Sequence, residues 1–222
     1  MFDLVIFDCD GVLIDSEIIS ARMLIAELAR LGVRIDLDYV ARHFLGRSYP
    51  TVMAQIRREF GLDLPADFEA NYRDRLLAEF TQSLRIMPGV SDVLSALACP
   101  WCVATSSSPR RADMSLSLVG LRPAVGPRLF TASQVANGKP APDLFLFAAR
   151  QMQVAPARTL VIEDSLTGVR AALAAGMQVW RFTGGSHFGG RLDADPPDAT
   201  PHRRFDAFAD FFHFAPDLKG AA

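Results

Sequence analysis

Three continuous apolar runs constrain this chain more than any other feature: Leu4-Val5-Ile6-Phe7, residues 101–104 and Leu160-Val161-Ile162. Runs this short, apolar without alternation, suit strands covered on both faces of a parallel sheet. Weaker runs at residues 178–182 and at Leu129-Phe130 extend the series. Helical periods fall between them, over residues 90–97, 110–119, 143–152 and 166–175. Each has a cap or Pro at its start, a Gly at its end, or both. Strands alternating with helices imply right-handed crossovers, and so an α/β, Rossmann-like parallel sheet.

One stretch breaks the alternation. Residues 16–87 carry no convincing strand pattern, only helical periods at 18–31, 39–44, 51–60 and 67–81, punctuated by Gly32, Gly46-Arg47-Ser48-Tyr49-Pro50 and residues 61–65. About 70 residues of helix inserted after the first strand predict a separate small all-helical domain, with residues 1–15 and 88–222 forming the discontinuous core. Charged clusters in the insert, Arg57-Arg58-Glu59 and Arg73-Asp74-Arg75, read as solvated faces. Residues 183–204, rich in Gly, Pro and Asp, predict a long surface loop. Its glycine-rich stretch, residues 184–190, lacks the following helix that a phosphate cradle requires. A closing helix is expected over residues 205–214, its phenylalanines packed on the core.

Composition narrows the class. Of 222 residues, 50% are apolar and 22% charged, which excludes a disordered or collagen-like chain. No apolar run approaches the roughly 18 residues of a membrane helix. The start carries Asp3 and no basic stretch, unlike a signal peptide, so a cytoplasmic, membrane-free monomer is expected. A net charge of −2 argues against a broad face for nucleic acid. Cys99-Pro100-Trp101-Cys102 spells C-x-x-C, but no second pair exists and Cys102 opens an apolar run. A structural role is the expectation there, and three cysteines without a secretory signal do not make a disulfide framework.

The chemistry concentrates where the runs end. Asp8 follows the first run and Asp10 lies two residues on, so in extended chain both face the same way, about 6–7 Å apart. Ligands of an open parallel sheet bind at that carboxyl edge. Glu163-Asp164 follows another run, and two carboxylate clusters at one edge repel unless a cation lies between them. All-oxygen donors point to a hard ion, Mg²⁺ before Ca²⁺. Thr105-Ser106-Ser107-Ser108 offers hydroxyls and N–H groups at a helix start, suited to phosphate oxygens. Lys139, between Gly138 and Pro140 with Pro142 beyond, sits in a stiff turn that suits a fixed positive charge.

In this order, Asp8-x-Asp10-Gly11-Val12, Ser106 after a strand, Lys139 in Gly-Lys-Pro, and Glu163-Asp164 after a strand, the chain resembles the haloacid dehalogenase superfamily of phosphohydrolases. Small sugar-phosphate phosphatases and β-phosphoglucomutase-like members are the nearest in pattern. The resemblance spans nearly the whole chain and implies that the helical insert is a cap domain. It implies Asp8 as a nucleophile forming an aspartyl-phosphate, and Asp10 as general acid and then base. It implies Asp8, Asp10, Glu163 and Asp164 around Mg²⁺, with Ser106, the Ser107 N–H and Lys139 on the phosphate of a small metabolite, a sugar or sugar-acid phosphate. Asp10 speaks against dehalogenation, because a halide leaves without a proton. Mutase relatives carry His and Lys where this chain aligns Ser20 and Leu45, which favours hydrolysis over the alternative of a hexose phosphate phosphomutase. Arg47 is a candidate substrate contact from the insert.

Overall fold

The computed structural model of the chain describes residues 2–65, 67–189 and 194–220. Its centre is a six-stranded, all-parallel sheet of β1 (Leu4–Phe7), β2 (Trp101–Thr105), β3 (Leu129–Thr131), β4 (Thr159–Glu163), β5 (Gln178–Phe182) and β6 (Arg203–Phe205), in the order β3-β2-β1-β4-β5-β6. The apolar runs are strands because both faces are covered. Leu4 and Ile6 enter one apolar layer with Ala104 and Val161, while Val5 and Phe7 enter the other with Val103 and Ile162. Phe7 is fully buried, and truncating such a side chain to Ala costs about 3–5 kcal/mol.

Among the described residues, four helices, α1 (Glu17–Arg30), α2 (Leu37–His43), α3 (Tyr49–Phe60) and α4 (Phe68–Ser83), fall within residues 16–87, after β1 in sequence. The remaining helices flank the sheet: α5 (Val90–Ala96), α6 (Pro109–Leu118), the single turn α7 (Arg122–Val125), α8 (Asp143–Gln151), α9 (Leu166–Ala174) and α10 (Phe211–Phe214). α8 and α9 bury Leu144, Phe145, Val169 and Ala172 in one layer. α5, α6 and α10 bury Val93, Leu116 and Phe211 in the other, and that layer continues into the insert through Leu24, Leu28, Ile56 and Phe80. The insert leaves and rejoins the core along two antiparallel segments, where Asp15 N–H donates to Arg85 and Met87 N–H to Leu13, both at 2.9 Å.

The C-terminal segment departs from expectation. Residues 205–214 are not one helix: Phe205 ends β6, a short 3₁₀ turn spans Phe208–Asp210, and α10 is a single turn. Phe205, Phe208 and Phe211 repeat every three residues, which mimics a helical stripe. The outer edge of β5 overrides that pattern, since Trp180–Phe182 pairs with residues 203–205 and an open strand edge is closed. Residues 183–204 are likewise more than a surface loop. They include turns at Ser186–Phe188 and Pro197–Ala199 and the start of β6, and residues 190–193 lie outside the described residues.

Candidate active site

The ends of β1, β2 and β4 converge on Lys139. Its Nζ donates to Asp8 Oδ1 at 2.6 Å, Glu163 Oε1 at 2.7 Å and the Ala104 carbonyl at 3.1 Å. That occupies all three ammonium protons, in a side chain that is 1% exposed and lies over the Phe145 ring. Burial opposes the lysine charge, but Asp8 and Glu163 outweigh it and hold the ammonium more firmly protonated than usual. The other Glu163 oxygen accepts from Ser165 N–H and Oγ, and Ser165 Oγ in turn caps α9 by accepting from Gly168 N–H.

Oxygens of Asp8, Glu163 and Asp164 all lie within 4.8 Å of one another and are buried. Burial raises the Asp8 pKa well above the usual carboxylate range, and Glu163 and Asp164 add to it against the pull of Lys139. Asp164 is raised in the same way, by burial first and Glu163 next. Asp164 Oδ2 is buried without a hydrogen-bond partner. An all-oxygen set of three buried carboxylates against one lysine fits a hard divalent cation. Because Glu163 already has both oxygens engaged, Asp8 and Asp164 are the donors with capacity left.

Asp10 has the opposite surroundings. Its Oδ1 accepts from Ser16 Oγ at 2.6 Å and Arg111 at 2.7 Å, and its Oδ2 from Ser107 Oγ at 2.6 Å and Thr105 Oγ1 at 3.4 Å. Burial would raise its pKa, but Arg111 and the hydroxyls of Ser107 and Ser16 outweigh that and hold it below the usual value. Two carboxylates two residues apart are therefore driven in opposite directions by their neighbours, a pattern that separates roles in catalytic sites.

The serine run is divided among tasks. Ser106 Oγ donates to the Gly46 carbonyl in the insert, and Ser107 N–H donates to Thr105 Oγ1. Thr105, read in the sequence with the serines as a phosphate-binding hydroxyl, ends β2 facing Asp10 instead, and sequence reasoning missed Arg111 altogether. Arg47 donates to Gln55 Oε1 at 2.9 Å and pairs with no carboxylate among the described residues. Asp8, Asp10, Thr105, Ser106, Ser107 and Arg111 line one wall of a cavity of about 70 Å³; Glu17, Ser20, Leu24, Phe44, Arg47 and Tyr49 line the other. It adjoins a groove of about 560 Å³ bounded by Tyr49, Tyr72, Arg73 and Arg110. Burial, with Asp10 and Asp164 adding to it, pushes the Glu17 carboxyl up to about 8.

The cysteines add no reactive thiolate to this site: Cys9 is buried between Asp8 and Asp10, and burial, with Asp10 and Asp8 adding to it, raises its thiol well above the usual value. All three are free, and burial pushes the Cys102 thiol up to about 12, which disfavours a reactive thiolate. The glycine-rich stretch, of which Gly190 lies outside the described residues, contributes a residue that sequence reasoning missed: His187, its side chain buried against Asp164.

A family model described as haloacid dehalogenase-like hydrolase matches residues 2–176. The 6-phosphogluconate phosphatase of Escherichia coli (strain K12) is 28% identical over 184 residues, covering 82% of this chain and 83% of that protein. Hexitol phosphatase A of the same organism is 31% identical over 189 residues, covering 78% and 80%. A solved structure of a conserved haloacid dehalogenase-like protein of unknown function from Agrobacterium tumefaciens str. C58 has a TM-score of 0.82 at 34% identity, covering 98% of this chain and 99% of that one.

Proposed function

The chain belongs to the haloacid dehalogenase-like hydrolase family and is a phosphatase, and from that premise we propose that it hydrolyses a small phosphorylated sugar, sugar acid or polyol through a phosphoryl group carried on Asp8. The observation that carries this reading is the Asp8–Lys139–Glu163 network beside Asp164, which meets the cavity at Asp8. Lys139 takes Asp8 Oδ1, which leaves Oδ2 to attack phosphorus. A bond forms from that oxygen to phosphorus, and the bond from phosphorus to the substrate oxygen breaks. Water then attacks phosphorus, inorganic phosphate leaves and the Asp8 carboxylate is restored. Splitting the displacement in two lowers each barrier.

Asp8 and Asp164, with the Asp10 carbonyl, are the groups that would hold Mg²⁺. When bound, that ion offsets the negative charge of the substrate phosphate and of the carboxylates facing it. Lys139 contributes a second fixed positive charge, and charge stabilisation of this kind carries most of phosphoryl transfer. The ionised Asp10 is set to take a proton from the attacking water. Protonating the leaving alcohol in the first half requires it to part from Arg111, whose charge keeps it deprotonated. Neither Ser20 nor Leu45 places a titratable group in the cavity to support transfer between two sugar positions, so water is the final acceptor.

Above this network the insert supplies the contacts that choose the leaving group, with Arg47, which pairs with no carboxylate among the described residues, suited to a hydroxyl or carboxylate of the substrate. The test is phosphate release from a panel of phosphorylated sugars, sugar acids and polyols with Mg²⁺. Release that is abolished by chelation and by Asp8→Asn supports the reading. Activity that survives Asp8→Asn contradicts it.

A further inference from the structure

The Ser186–Phe188 turn carries a buried imidazole that the proposed chemistry does not use. The His187 side chain is 6% exposed, and its Nε2 stands 3.1 Å from Asp164 Oδ2. No aligned hydrogen bond joins them: both ring nitrogens and Asp164 Oδ2 are buried without a partner. Two glycines make the approach possible. A Cβ on Gly11 would collide with the Asp164 carboxylate and crowd the His187 ring, and one on Gly185 would strike the ring itself. Ser186 anchors the turn, donating from N–H and Oγ to Asp15 Oδ1 at 3.1 and 2.9 Å, and Phe188 packs beside the ring.

We propose that His187 is a positioning residue for the divalent cation site, donating its Nε2–H to Asp164 Oδ2 and so holding that carboxylate toward the ion. The inference rests on the metal-dependent reading above. The oxygens close enough to share one ion belong to Asp8, Glu163 and Asp164, so the ring reaches the ion through Asp164 rather than as a ligand. A small rotation of the Asp164 carboxylate aligns the bond and gives partners to two buried groups at once. An imidazole has a ring N–H to give in either protonation state. Partners that orient a metal-binding carboxylate typically change metal affinity by about 10–100-fold.

Mn²⁺ alone, titrated without substrate and followed by the electron paramagnetic resonance of the free ion, tests this apart from turnover. His187→Leu is expected to weaken Mn²⁺ binding by about 10–100-fold. His187→Asn, which keeps a side-chain N–H, is expected to recover much of that loss. Unchanged affinity in His187→Leu, or a loss that His187→Asn leaves unrepaired, overturns the proposal. So does a nitrogen coupling of bound imidazole in the pulsed spectrum of the wild-type Mn²⁺ complex, which makes His187 a ligand. Should His187→Leu not fold, the affinity of His187→Asn and the wild-type spectrum decide: near-native affinity without imidazole coupling supports the role. Wild-type protein that binds no Mn²⁺ at all fails the proposed function itself, and is told apart because no variant is involved.

Discussion

On the core side of the cavity Lys139 gives all three of its protons to Asp8, Glu163 and the Ala104 carbonyl, whereas on the insert side Arg47 donates to the neutral amide of Gln55 and pairs with no carboxylate among the described residues. The core wall is a buried set of charges that define one another. Beyond burial, Lys139 and Glu163 act on both Asp8 and Asp164, Asp8 and Glu163 act on Lys139, and Arg111 acts on Asp10. The insert wall mixes Leu24, Val40, Phe44 and Val52 with a few polar groups and touches the core through lighter bonds, such as Ser106 to Gly46 and Thr167 to Leu45. A change on the core wall therefore spreads through the charge network, while a change on the insert wall stays local. That division suits a fixed reaction centre beneath a surface that selects what reaches it.

The sharpest way to break this contrast is Lys139→Met. It leaves Asp8 and Glu163 buried without their cation, so kcat is expected to fall by about 10³-fold. Metal-free stability at pH 8 should drop by about 3 kcal/mol, read by denaturant unfolding. Near-native values for both would show that the core charges do not depend on one another. Next is Arg111→Met, which removes the charge that depresses Asp10. The acid limb of the kcat–pH profile should move to higher pH by about one unit, because Asp10 must be ionised to activate water. A profile that keeps its position would detach Asp10 from Arg111.

Glu17, on the opposite wall, tests the boundary between the two regimes. In the folded protein its carboxyl titrates near 8, against an ordinary value of 4.5. Between those values the folded metal-free protein keeps a proton that the unfolded chain has lost, so stability falls as pH rises across that window. Glu17→Gln should remove that fall. Relative to wild type, the variant gains about 4 kcal/mol between pH 5 and pH 8.5, measured in chelator. Equal slopes in the two proteins would place Glu17 in ordinary solvent. The smallest effect belongs to the exposed ion pair of Arg110 with Asp74, which links α6 to α4. Arg110→Ala is expected to shift stability by about 0.5 kcal/mol or less. A loss several times larger would mean that surface charge, not the shared apolar layer, holds the insert in place.

The sequence exposed the parts of this design that need one residue type at one place. Apolar runs such as Leu4–Phe7 can hardly be anything but strands buried on both faces, and acids at their ends stand out because burying like charges together is costly. The turn around Lys139 was legible for the same reason: Gly and Pro restrict the backbone locally. Contacts made across the chain were not. Arg111 reaches Asp10 over 101 positions, and nothing within α6 distinguishes it from its exposed neighbour Arg110. Thr105 was read only as one hydroxyl of the run Thr105–Ser108, and the end of β2 shows that it and Ser107 face Asp10. His187 lay in a segment whose glycines signal a loop but not the burial they permit. β6 was hidden because its partner edge, not its own composition, makes it a strand.

The central claim is that a phosphoryl group passes through Asp8. Rapid quenching of wild-type protein during turnover, reduction with borohydride and peptide mass spectrometry would read it directly, since an acyl phosphate on aspartate is reduced to homoserine. The account predicts homoserine at position 8 only when a phosphorylated substrate is present, and none in Asp8→Asn. Turnover without modification of Asp8, or with the label on another residue, would contradict it.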